Sequence, residues 1–137
     1  MQDEPPNGSS VKTRDEVDEQ LAGIGSAFAE TADEMVALLL DHSEGKWANN
    51  FDRLSLQLKK AQNDRAYRQA IETFLSFFGG MGSWNDFYIQ ALGEAEEQRA
   101  ALTGRLWRLS DQLSDVLDSA PPEPHRSVWQ RFWSRFG

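Results

Sequence analysis

Cysteine is absent from the 137 residues, which excludes disulfides, thiolate metal sites and a cysteine nucleophile together and suits a reducing compartment. Histidine occurs only at positions 42 and 125. Neither belongs to a His-x-x-x-His or Glu-x-x-His array that would set two ligands on one helical face, so no metal and no other cofactor is expected. Asp41, His42 and Glu44 could at most offer a weak cation site at a helix end, and a solvated turn is the simpler reading. Positive charge is scarce: 14 Lys and Arg stand against 22 Asp and Glu, giving a net charge of −8 and a pI near 4.7. A phosphate-neutralising surface is therefore missing, and nucleic acid is not an expected partner. No apolar run approaches the roughly 20 residues that span a bilayer, and no signal-like apolar stretch occupies the first thirty residues. The expectation is a soluble, cytoplasmic protein without stable membrane insertion. Hairpin signals are lacking too, with no sustained period of two and no Asn-Gly or Asp-Gly pair between alternating runs.

What is present is helical periodicity. Residues 1–12 are polar and rich in Pro, Gly and Ser, and are expected to form a disordered leader. Thr13 and Glu16 have the spacing of a capping box, after which Val17, Leu21, Ile24, Phe28, Thr31, Met35 and Leu38 step by four and three residues along one seam. Gly23 and Gly25 lie off it and mark a place where one long helix could break into two. A second seam, Trp47, Phe51, Leu54, Leu58 and Ala61, follows the Ser43-Glu44-Gly45 punctuation. Asn63-Asp64 caps a third, made of Tyr67, Ile71, Phe74 and Phe78, thickened by Leu75 and Phe77, and expected to end at Gly79-Gly80. Ser83 and Asp86 predict the start of a fourth and longest helix, whose seam runs from Tyr88 to Val116 with Arg99 interrupting it. Pro121, Pro122 and Pro124 close that helix. These seams predict an all-α protein: an antiparallel helical bundle of about four helices over residues 13–120, then a Pro-rich link and a short C-terminal amphipathic helix within residues 121–137.

The densest local pattern is Gly79-Gly80-Met81-Gly82-Ser83-Trp84-Asn85-Asp86. Glycine-rich amides before a helix can cradle an anion, but the Lys-Ser/Thr of a P-loop and a preceding strand are both missing. The structural reading is preferred: Gly79 and Gly80 end a helix, Met81 fills the core, and Ser83, Asn85 and Asp86 satisfy amides of the turn. With Leu38-Leu39-Leu40 and Trp47-Ala48 upstream, this stretch resembles a family of small, largely uncharacterised bacterial helical domains with a Gly-Gly-Met-Gly-Ser-x-Asn-Asp signature. The resemblance covers about Met35 to Leu92. It implies a bacterial origin and a helical domain without an assigned reaction; beyond Phe87 the chain departs from the family's pattern, with a long helix and an aromatic arm.

Charge is unevenly distributed. Residues 1–44 hold 11 acidic and 2 basic side chains, whereas residues 125–137 hold three arginines and no acid. Glu30, Glu34 and Asp41 share a face of the first helix, with Asp33 beside them and Glu44 just beyond, a negative stripe able to steer a basic protein. In the C-terminal arm Val128, Trp129, Phe132, Trp133 and Phe136 form one apolar face, suited to docking back on the bundle, to entering a partner groove or a second copy, or to lying on an anionic membrane, with the partner reading ranked above the membrane one. No cluster of titratable groups calls for catalysis. The expected function is therefore a non-catalytic acidic protein-binding protein of the immunity or antitoxin kind, which neutralises a toxin or effector by direct binding. The alternative is a helical adaptor or self-assembling protein that uses Trp129, Phe132 and Trp133 of the arm.

Overall fold

The computed structural model describes residues 12–79, 82–87 and 93–123. Within them the chain forms four α-helices, α1 (Arg14–Asp41), α2 (Gly45–Lys60), α3 (Asp64–Leu75) and α4 (Glu94–Ser119), with a 3-10 turn at Trp84–Asp86. No strand occurs among the described residues, and the all-α bundle expected from the seams is the architecture observed. Successive helices run antiparallel; α1 and α3 each neighbour α2 and α4, so α1 and α3 face one another across the interior. Residues 1–11 of the expected leader 1–12, and residues 124–137 of the expected C-terminal segment 121–137, lie outside the described residues.

Helix α1 begins as the sequence predicts. The Thr13 hydroxyl accepts from the Glu16 amide while the Glu16 carboxylate accepts from the Thr13 amide. This capping box satisfies two amides that the helix leaves unpaired. The helix then continues for 28 residues without a break at Gly23 or Gly25. Gly25 has a packing role instead: it is buried, and a Cβ there would lie 2.8 Å from Cε1 of Tyr67 on α3. The missing side chain lets the Tyr67 ring lie against α1. At the other end Ser43 adopts φ 61°, with its amide on the Leu40 carbonyl and the Glu44 amide on that of Leu39. That is a Schellman termination built on serine, which accepts a left-handed conformation glycine would adopt without strain.

Burial follows the four seams. Val17, Leu21, Phe28, Met35 and Leu39 of α1 meet Phe51 and Leu54 of α2, Phe74 of α3 and Leu106 and Leu113 of α4 in one dry core. Leu75, expected to thicken the third seam, is exposed, because α3 ends there and Phe77 and Phe78 turn inward from the following turn. At the end of the bundle where α1 starts, the Arg14 guanidinium binds both Asp64 oxygens at 2.6 and 3.1 Å, Asp18 at 2.7 Å and the Pro121 carbonyl at 2.9 Å. Its hydrogen bond to Asp64 raises the Arg14 pKa still further above its ordinary value. One side chain thus ties the first turns of α1 and α3 to the chain leaving α4, using its planar fork of donors.

The two α1 glycines should respond oppositely to a methyl group. Gly25→Ala should destabilise by about 1–3 kcal/mol through overpacking against Tyr67, whereas Gly23→Ala, with open space around it, should stabilise by up to about 1 kcal/mol. Urea denaturation midpoints of the two variants check this; equal responses would show that Tyr67 yields.

Candidate protein-binding surface

The acidic stripe of α1 is divided by its neighbours. Asp33 turns toward α2, where Ser55 Oγ donates at 2.6 Å and Lys59 Nζ at 2.9 Å. Partial burial works to raise the Asp33 pKa, but the hydrogen bonds from Ser55 and Lys59 outweigh it and hold the carboxyl below its ordinary value. Glu34, the next residue, turns the other way and pairs with Arg105 of α4 at 3.3 Å. Two of the residues expected to face a partner therefore brace α1 against the helices on either side. Glu30 and Asp41 remain exposed without a partner among the described residues, and Glu44 sits half-buried at the start of α2, where its side chain makes no capping bond. The stripe is real but thinner than its sequence suggests.

Between α1 and α4 runs a cleft of about 390 Å³. Leu38 and Leu102 form its floor, and Asp41, Gln98 and the Glu34–Arg105 pair stand at its rim. An apolar floor edged by a few polar groups is the usual make-up of a recognition groove.

The glycine-rich stretch works differently from the expectation. Gly79 and Gly82 both adopt positive φ, 113° and 78°, which L side chains rarely take; Gly80 and Met81 lie outside the described residues. Ser83 caps only the 3-10 turn, its hydroxyl accepting from the Asn85 amide at 3.3 Å. The long helix starts instead at Glu94, where Glu94, Glu96 and Glu97 place negative charge in the first turn. Asn85 is exposed and the Asp86 backbone belongs to the 3-10 turn. The amides of Trp84, Asn85 and Phe87 are used within the turn, on Phe77 O, Ser83 Oγ and Trp84 O.

What the turn delivers is Trp84, a residue the periodicity did not assign to the core. Its ring is 1% exposed, with centroids of Trp47, Phe51 and Phe87 at 4.9, 4.8 and 4.9 Å. Its indole N–H donates to Thr103 Oγ1 of α4 at 3.0 Å. Arg99, the apparent defect in the α4 seam, lays its guanidinium 4.9 Å from the Trp84 ring centre and pairs with Glu96. A tryptophan two residues after Gly82, at the end of a glycine-rich run, was the available signal; alone it does not reveal a burial partner. The aromatic arm with Trp129, Phe132 and Trp133 lies outside the described residues.

Trp84→Ala should cost about 3–5 kcal/mol by emptying the centre of the cluster. Thr103→Val, which strands a buried N–H, should cost about 1–3 kcal/mol. Chemical denaturation gives both values, and a Trp84→Ala loss no larger than that of a surface substitution would contradict the turn's pinning role. The depressed Asp33 pKa makes stability fully present above the unfolded-state value of about 3.9 and lost as pH falls through the folded one. Asp33→Asn should therefore flatten the acid limb of a stability–pH profile below about pH 4. An unchanged limb would remove Asp33 from the acid response.

A family model described as a domain of unknown function (DUF6966) matches residues 40–96. The match overlaps the Met35–Leu92 span of the resemblance and agrees with an uncharacterised family. It takes in α2, α3 and the turn bearing Trp84, with only the last two residues of α1 and the first three of α4. No curated protein and no solved structure matches the chain.

Proposed function

We propose that the chain is a non-catalytic, acidic protein-binding protein of the immunity or antitoxin kind, working in the bacterial cytoplasm and neutralising a basic toxin or effector by direct binding. The observation that carries this reading is the α1–α4 cleft, where Asp41 stands unpartnered beside an apolar floor of Leu38 and Leu102. An apolar side chain flanked by Lys or Arg on the partner would enter between the helices and place its charge against Asp41. Glu30, further along α1 and outside the cleft, adds exposed negative charge to the same helix. The net charge of −8 would steer a cationic partner toward this side and raise its rate of encounter. The bacterial assignment follows the resemblance of the glycine-rich stretch, and a cysteine-free chain has no disulfide to lose in a reducing cytoplasm.

Capture from a lysate of the source cell with the full chain, at low and high salt, tests the reading. One stoichiometric basic protein should be retained at low salt and released at high salt. The double reversal Glu30→Lys/Asp41→Lys should weaken that binding about tenfold or more. Equal retention by the reversed chain, or recovery of the chain itself alone, would overturn the proposal, the latter in favour of self-assembly.

A further inference from the structure

The last described residues fix where the chain leaves the bundle. The Pro121 carbonyl accepts from Arg14, and Glu123 Oε2 accepts from the Asp64 amide at 3.2 Å, capping the start of α3. The exit therefore lies beside Asp18 and Asp64, both held by Arg14. One turn along α1 from Asp18 begins a second groove of about 390 Å³, floored by Ala22, Ala29, Leu58, Ala61 and Tyr67 and edged by Ser26, Glu30 and Lys59. It is mostly apolar and runs between α1 and the α2–α3 junction.

We propose that this groove receives residues 124–137 of the same chain, seated through Trp129, Phe132 and Trp133. Reach argues for it. From Ala22 to Glu30 the groove follows α1 for about 12 Å, and from Asp18, beside the exit, to Glu30 is about 18 Å, room for a helix over residues 127–136 of about 15 Å. The α1–α4 cleft begins at Glu34, about 30 Å along α1 from Arg14. Three linking residues of about 10 Å followed by that helix fall short of it. Charge argues the same way: residues 124–137 contain Arg126, Arg131 and Arg135 and no acidic residue, while Glu30 edges the groove without a partner among the described residues and Lys59 there is paired with Asp33. Large aromatic side chains are the groups that gain most from such a slot. The occupant requires no partner, so it stands or falls separately from the toxin-binding proposal.

The test uses the full, isotopically labelled chain without any partner. Lacking cysteine, it accepts a single nitroxide at Ser26→Cys, in the groove wall, or at Ala101→Cys, in the α1–α4 cleft, both exposed positions. Indole N–H signals report proximity, with those of Trp129 and Trp133 identified by Trp129→Phe and Trp133→Phe. The Ser26 label should remove most of the intensity of both signals, and the Ala101 label should leave them. Adding Glu30→Lys to the Ser26-labelled chain should restore part of the lost intensity. Full intensity beside the Ser26 label, stronger loss from the Ala101 label, or loss only when label and observed signal lie on separate molecules would each overturn the proposal. The last outcome would make a second copy the occupant.

Discussion

The apolar face of α1, from Val17 to Leu39, lies against α2 on one side and α4 on the other, and meets α3 across the middle through Phe28 and Gly25. Removing that face from water is the largest gain available to a chain of this size, since burial of each large apolar side chain contributes about 1.5–3 kcal/mol. The polar attachments of α1 then set its orientation. Arg14 fixes one end to α3 and to the segment after α4, while Asp33 and Glu34 reach sideways to α2 and α4. The two lateral pairs are substantially exposed and contribute little each; the Arg14 fork, largely enclosed and saturated with acceptors, holds more firmly.

The second constraint is the aromatic cluster around Trp84. Helix α2 carries Trp47 and Phe51, and α3 with the turn after it carries Phe74 and Phe77, to one end of the bundle, and the glycine-rich turn brings Trp84 and Phe87 into the space between them. Edge-on ring contacts and the hydrogen bond to Thr103 make the turn part of the core. The family match covers α2, α3 and this turn, while it omits most of α1. The acidic edge is thus divided: Glu30, Asp33 and Glu34 lie before the matched region, while Asp41 and Glu44 lie within it.

The two grooves flanking α1 are chemically distinct from one another. The α1–α4 cleft has an ion pair and a lone carboxylate on its rim, which favours a charged visitor. The groove at the α2–α3 junction is more apolar and starts one turn of α1 beyond Asp18, which Arg14 holds beside the chain's exit. A bundle of four helices produces such slots wherever small residues such as Ala22, Ala29 and Ala37 meet a neighbouring helix without filling the space between them.

The sequence by itself determined the helical class, the order of the seams and their inward faces, because a buried stripe on a helix must repeat at the helical period; that the first seam is one unbroken helix was left open by Gly23 and Gly25. It also determined the start of α1 and of α3, since capping by Thr13 and Asn63 needs only residues within one turn. The candidate site was legible only as composition: the acidic residues of α1 could be counted, but which carboxylates meet a cation depends on Lys59, 26 residues away, and Arg105, 71 residues away. Tertiary structure likewise decided that Ser83 caps a single turn, that Arg99 covers an aromatic ring, and that Gly25 makes room for Tyr67. Each of these outcomes rests on a contact between distant segments, and local periodicity carries no information about which distant side chain will arrive.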